Sequence, residues 1–276
     1  MQLSLFTTDL TLAVSSEGAG IDSIIVDWET KCKDKRQKGY DLETNGDTPE
    51  DIYKLSKVLN IPVTVRVNCI GEHTPSEVDC ALENGARILM LPVAETIEQV
   101  QYFLDIVKSR AKTIIQIETL NLAAKTEQLA KLNWDYAYIG LNDLMISRGG
   151  NCVWEPVFDG TVESICSSLR GREYGFGGVT ILGGGDPLSI DLLLHEYTRL
   201  GCSLCFLRRA FKKEILDRNI SAEIKAIRAF IAASSLRGPK AKLHDHQRLC
   251  KQIERYMKTE NSNIEITNGQ KYSLNV

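Results

Sequence analysis

Two stretches decide how this chain is read: Thr113-Ile-Ile-Gln-Ile-Glu-Thr119 and Tyr136-Ala-Tyr-Ile-Gly-Leu-Asn-Asp-Leu144. Each is a short apolar run that closes on an acid, Glu118 in the first and Asp143 in the second. A helix-length segment separates them. Buried strands joined through a helix run parallel, and the C-terminal ends of parallel neighbours lie side by side. The two carboxylates are therefore expected to converge at one end of a sheet. Buried charge without a partner is costly, and a hard divalent cation is a natural partner for two carboxylates. A helix cap or an ion pair would account for either acid alone.

Working outward, similar runs recur at residues 3–7, 23–28, 63–68, 88–93, 177–182 and 203–208, which with 113–118 and 136–140 makes eight expected strands. The segments between them have helical spacing. Residues 48–59 place Ile52, Leu55 and Val58 on one face, and residues 98–107 do the same with Val100, Phe103, Leu104 and Val107. Asp47 or Thr48 is the expected cap of the first of these, with Pro49 at its first position. Eight alternating units in about 210 residues fit a (β/α)8 barrel. A doubly wound open sheet is the alternative, but it favours a glycine-rich turn after the first strand, and Phe6-Thr-Thr-Asp-Leu-Thr-Leu12 has none. The barrel is expected over residues 1–235, with residues 211–233 as its closing helix. From Ser234 the composition turns polar and basic, so residues 236–276 read as a tail or oligomerisation arm, with an exposed helix over 244–257.

The chain has 276 residues, 43% hydrophobic and 25% charged, enough for one large core. A net charge of −3 gives no global attraction to nucleic acid or an anionic membrane. No apolar stretch approaches a membrane span, and Met1-Gln-Leu-Ser-Leu-Phe6 lacks the form of a secretory signal. The eight cysteines are scattered, several within apolar runs, as expected of reduced core thiols in the cytoplasm. The single CxxC, Cys202-Ser-Leu-Cys205, falls where a strand is expected, so its thiols would point to opposite faces. No second CxxC or nearby histidine supports a metal reading.

In a (β/α)8 barrel the chemistry sits at the C-terminal ends of the strands. Those ends carry Asp9, Asp27, Glu29, Arg66, Asn68, Glu118, Asn142, Asp143, Arg208 and Arg209, so polar residues gather at one end of otherwise apolar strands. Arg66 offers a planar two-pronged donor set matched to a carboxylate, or it neutralises Asp27 or Glu29. The run Tyr174-Gly-Phe-Gly-Gly-Val-Thr-Ile-Leu-Gly-Gly-Gly-Asp-Pro187, with Gly184 in the middle of its glycine triplet and Arg208-Arg209 on the next strand end, suggests a corner for a phosphate or CoA-linked anion. A flexible turn is the plainer reading. A Walker loop is excluded, because no Gly-Lys-Ser/Thr follows.

Five segments, Ile24-Ile-Val-Asp-Trp-Glu29, Val65-Arg-Val-Asn68, Gly85-Ala-Arg-Ile-Leu-Met-Leu-Pro92, Ile115-Gln-Ile-Glu-Thr119 and Tyr138-Ile-Gly-Leu-Asn-Asp-Leu144, stand in an order and spacing that resembles the pyruvate class II aldolase and citrate lyase β-chain family of the phosphoenolpyruvate/pyruvate-binding barrels. The likeness is good over residues 20–145 and weaker beyond. It implies a lyase or aldolase that makes or breaks a carbon–carbon bond beside a pyruvate-type or acyl enolate. Glu118 and Asp143 would then hold Mg²⁺ or Mn²⁺, and Arg66 would hold the oxo-acid oxygens. Gly140 and Leu141 would line the pocket, and Asp27 would orient Arg66 or a metal-bound water. The family also implies a homo-oligomer and a small oxo-acid or acyl-CoA substrate. One departure matters. The aldolases carry Asp-x-Glu-His after strand two, and this chain has Asp27-Trp-Glu-Thr30. Thr30 does not titrate near neutrality, so a base has to come from elsewhere, with Glu29 and His73 as candidates. His195, His244 and His246 are expected to be structural or solvated. An acyl-CoA lyase or thioesterase, and a barrel that binds an oxo acid without turnover, remain the alternatives.

Overall fold

The computed structural model describes residues 1–31 and 46–273. Eight strands run in parallel: β1 (Gln2–Phe6), β2 (Ser23–Asp27), β3 (Val63–Arg66), β4 (Ile88–Leu91), β5 (Lys112–Ile117), β6 (Tyr136–Ile139), β7 (Glu173–Phe176) and β8 (Leu204–Leu207). Their order is β7-β6-β5-β4-β3-β2-β1-β8, so each strand neighbours the next in sequence and β1 meets β8. The circle closes between β7 and β8. Ser203 N–H donates to Tyr174 O (2.8 Å), Val179 N–H to Phe206 O (3.0 Å) and Arg208 N–H to Val179 O (2.9 Å). Gly175 makes that approach possible, because a Cβ there would collide with the Leu204 carbonyl oxygen. This is a (β/α)8 barrel.

Period-two side-chain alternation divides its apolar residues into two cores. One set, including Ile25, Met90, Ile114, Tyr138 and Phe206, fills the barrel. The other, including Ile24, Val65, Leu89, Ile115 and Phe103, packs between strands and helices. Strands buried on both faces read as unbroken apolar runs, which is why they stand out in the sequence.

The expected strand at 177–182 is displaced: β7 is Glu173–Phe176. Gly177 has φ +57, which ends the strand, and Val179 makes only an isolated bridge to Leu207. The apolar Val179-Thr-Ile-Leu182 run follows the true strand. The closing helix expected at 211–233 is split into Arg209–Glu214 and Ile220–Ser235, since the Asn219 side chain accepts from Ala222 N–H (3.0 Å) and caps a fresh start. Thr48 is the N-cap before Pro49, with the Asp51 carboxylate accepting from its N–H (2.7 Å). Asp47 is turned elsewhere.

Beyond the barrel, Pro239–Ser273 forms one helix. It lies on the Ile190–Leu200 helix with Leu249 and Ile253 buried, so the 244–257 stretch is seated rather than wholly exposed. Residues 274–276 lie outside the described residues. No helix among the described residues is long and apolar enough to cross a membrane.

Candidate active site

The C-terminal mouth of the barrel opens into a cavity of about 330 Å³. Its floor is aromatic. The rings of Tyr138 and Phe206 stack at 3.5 Å, Phe6 meets Phe206 edge-on at 5.7 Å, and the Arg66 guanidinium lies 5.4 Å from the Phe6 ring centroid.

Arg66 ends β3 in register with Asp27 at the end of β2, and both face inward. The pair is bidentate: Nε donates to Asp27 Oδ1 (2.8 Å) and one terminal nitrogen to Oδ2 (2.7 Å). The other terminal nitrogen lies 3.4 Å from Glu29 Oε2. Burial opposes the guanidinium's charge, but Asp27 and then Glu29 more than offset it, so its pKa is held above the usual range. Arg66 thus neutralises both acids and also lines the cavity.

Glu118 and Asp143 line the same cavity, and both are buried. Glu118 follows β5. Its Oε1 accepts from Val93 N–H (2.9 Å) and its Oε2 from the Gln116 amide (3.2 Å). Burial, then Asp143, then Glu29 push its carboxyl up to about 8, against the pull of Arg66. Asp143 sits in the first turn of the Leu141–Ser147 helix that follows β6. A Cβ on Gly140 would overlap Glu118 Oε2, so that glycine keeps room for the carboxylate. No group of three or more His, Cys, Asp or Glu side chains among the described residues forms a metal cage. Two carboxylate donors nevertheless suit Mg²⁺ or Mn²⁺, which keeps several waters and takes further oxygens from substrate.

Leu141, Asn142 and Arg208 also line the cavity. The other candidates are placed differently. Asn68 does not line it: its Oδ1 accepts from Thr30 and Lys31 N–H (2.9 and 2.7 Å) and its amide donates to Glu77 (2.8 Å), so it ties two loops together. His73 stands before the Thr74–Glu83 helix with Nε2 3.0 Å from the Cys69 carbonyl, outside the cavity lining. Gly184 lies beside Ile181 and Glu214, away from the lining, and Gly177 and Gly178 border the cavity instead. Glu29 is buried beside Arg66 and outside the lining. The Arg209 side chain lies outside the described residues. Cys202 and Cys205 are buried thiols, and burial pushes Cys205 up to about 12, far from a reactive thiolate.

Three contributors escaped the sequence reading. Trp154 arrives from the segment after β6, with no periodicity to announce it. Tyr256 reaches the mouth from the C-terminal helix; the spacing of Leu249, Ile253 and Tyr256 was the available signal. Asp47 accepts from Asp27 N–H (2.8 Å), adding a carboxylate at the end of β2. Burial raises its pKa, with a smaller push from Asp27.

No protein-family model and no curated protein matches the chain. Solved structures do. A citrate lyase from Burkholderia xenovorans LB400 has a TM-score of 0.57 at 13% identity, covering 94% of this chain and 92% of that one. Citrate synthase SbnG has 0.56 at 16% identity, covering 83% and 93%. Phosphoribosyl anthranilate isomerase from Thermus thermophilus has 0.53 at 14%, covering 84% and 99%. Enzymes of different chemistry match equally well, so the likeness is one of fold. The chain takes the (β/α)8 barrel fold that solved citrate lyase and citrate synthase structures also share, in keeping with the family resemblance carried by its sequence.

Proposed function

We propose that this protein is a divalent-metal-dependent carbon–carbon lyase or aldolase that acts on a hydroxy-oxo acid through a pyruvate-type enolate. One observation carries the reading: two buried carboxylates, Glu118 and Asp143, face the same cavity as a guanidinium, Arg66, at the C-terminal mouth of a (β/α)8 barrel. The sequence resemblance and the citrate lyase and citrate synthase barrels among its structural neighbours support it.

Glu118 and Asp143 would hold the cation, which when bound supplies positive charge beside the oxo-acid oxygens. The remaining work falls to side chains. Asp27 fixes the Arg66 plane, so the guanidinium is aimed before substrate arrives. Cleavage takes a proton from the substrate hydroxyl. The carbon–carbon bond breaks, its electron pair moves into the oxo acid, and negative charge grows on the enolate oxygen. A preoriented guanidinium stabilises that charge more than it stabilises the ground state. The enolate then takes a proton on carbon. The aromatic floor and Trp154 line the space in which this step would take place.

The test is exchange of the methyl protons of pyruvate with deuterium, followed by NMR with Mg²⁺ or Mn²⁺. Exchange should need the cation and vanish in Glu118→Ala and Asp143→Ala. A barrel that binds an oxo acid without turnover is the second reading. It is favoured by the fact that none of the four histidines lines the mouth. Pyruvate binding with Mg²⁺ but no exchange would select it.

A further inference from the structure

The opposite, N-terminal end of the barrel holds a second cavity of about 430 Å³, within the size range of ligand sites, bordered by Gln2, Arg87, Lys112 and Tyr136. Lys112 opens β5, whose far end leads to Glu118. The 6 residues of that strand rise about 3.3 Å each, so the two cavities lie roughly 20 Å apart.

This second cavity has cations without anions to match them. Lys112 N–H donates to the Arg87 carbonyl (3.1 Å), so the two residues stand on neighbouring strand starts about 4.8 Å apart. Neither forms an ion pair among the described residues. The Arg87 guanidinium donates to the Asn60 carbonyl (3.0 Å), and the Lys112 ammonium to the Tyr136 hydroxyl oxygen (3.2 Å). The Asp22 carboxylate borders the same space, but its Oδ2 is committed to Leu3 N–H (2.6 Å) and to Arg228 (2.6 Å). Asp135 and Glu173 act on Lys112 only from beyond pairing distance. Tyr136 adds a further mismatch. It is 7% exposed and belongs to the inner face of the barrel. Its oxygen accepts from Gln2 Nε2 (3.3 Å) as well as from Lys112. Two donors occupy that oxygen, so its own O–H is left to give, and no described residue accepts it. A guanidinium, an ammonium and a phenol hydrogen thus border one space that supplies no free oxygen to receive them.

A carboxylate would bring two oxygens and one charge. A phosphate group brings three free oxygens and nearly two charges at neutral pH, which matches two cations and a hydroxyl donor. Pro62 and Ile88 add an apolar flank for the carbon side of an ester. We propose that the cavity at the N-terminal end of the barrel is a second binding site, which holds a dianionic phosphate group between Arg87, Lys112 and the Tyr136 hydroxyl. Free phosphate and a small phosphomonoester share that head, and the apolar flank favours the ester. The site uses none of the residues at the mouth and does not depend on the reaction carried out there.

The experiment is calorimetric titration of the full chain at constant ionic strength with inorganic phosphate and with glycerol 3-phosphate, using glycerol as the uncharged control. Glycerol 3-phosphate should bind and glycerol should not. Arg87→Ala and Lys112→Ala should each weaken binding about tenfold or more, as loss of a charge-assisted contact does, and Tyr136→Phe about fivefold. Arg87 and Lys112 are exposed, so both variants should melt close to wild type. A second measurement needs no variant. Millimolar glycerol 3-phosphate should slow acetylation of Lys112 in the wild-type chain, read by mass spectrometry, and leave exposed Lys54 unaffected. Equal binding of inorganic phosphate would keep the site and name free phosphate as its ligand. The proposal is overturned if neither phosphate compound binds, or if affinity is unchanged in both Arg87→Ala and Lys112→Ala. Acetylation of Lys112 and Lys54 slowed to the same degree would also overturn it, because the effect would then be ionic screening rather than a site.

Discussion

Glu118→Gln should stabilise the metal-free protein at alkaline pH and abolish its response to divalent cations. Burial, Asp143 and Glu29 raise the Glu118 carboxyl from the ordinary 4.5 to about 8 in the folded protein. Between those values the folded state holds a proton that the unfolded state has lost, so stability is full at low pH and falls as pH climbs through the window. At about 1.4 kcal/mol for each pH unit, the ceiling on that loss is roughly 5 kcal/mol. Glu118 and Asp143 titrate as a pair, so about 2–3 kcal/mol is expected for the single substitution. For a chain of this size that is roughly 5–10 °C in melting temperature. The amide fits the site. Its oxygen can keep the Val93 N–H, and its nitrogen can donate to Gln116 Oε1, which is buried without a partner, once the Gln116 amide turns over. The assay is thermal unfolding in EDTA at pH 5.5 and 8.5, read as variant minus wild type. The difference should be positive but small at pH 5.5, about one unit into the window, and roughly threefold larger at 8.5. Mg²⁺ should raise the wild-type midpoint, more at pH 8.5, and leave the variant unmoved. Equal midpoints for the two proteins at pH 8.5 would refute the account of Glu118 as an acid held against its own charge.

Gly140→Ala should place a methyl group against Glu118 Oε2 and turn the carboxylate; Mn²⁺ affinity by electron paramagnetic resonance should drop at least about tenfold, in line with losses on displacing metal-site groups. Gly175→Ala should strike the Leu204 carbonyl where β7 meets β8, costing more than about 3 kcal/mol in urea unfolding, since backbone cannot yield as a flexible side chain does. His73→Ala should leave pyruvate deuterium exchange within about twofold of wild type, because its Nε2 is engaged by the Cys69 carbonyl outside the cavity and loss of one such bond costs only about 1 kcal/mol of stability.

The sequence exposed the barrel because its strands are buried on both faces and therefore read as continuous apolar runs. It exposed Arg66, Glu118 and Asp143 because a charged residue at the end of such a run contrasts with what precedes it. The same contrast pointed to Asn68, and the missing histidine after Asp27 pointed to His73 in the loop after β3, yet neither lines the cavity. Position in the chain says which rim a residue stands on and leaves open which way its side chain turns: Asn68, just past β3, is drawn to the Thr30 and Lys31 amides, and His73, in the loop beyond, to the carbonyl of Cys69. Strand seven slipped because Tyr174-Gly-Phe176 is short and interrupted by the glycine that closure demands, while the more apolar run after it looks the better strand. Trp154 and Tyr256 were invisible for another reason. Contacts between segments remote in the chain depend on how the outer helices dock, and no local pattern encodes that.

Tyr256 has a consequence for how the protein is made. It belongs to the helix that follows all eight strands, yet it borders the cavity that those strands define. During synthesis the barrel strands leave the ribosome first, and the residue that completes the rim emerges about fifty residues after β8. A chain cut short beyond the barrel would therefore keep its two acids and its arginines while lacking part of the wall around them. The pocket wall is therefore finished by a helix that leaves the ribosome only after every strand of the barrel.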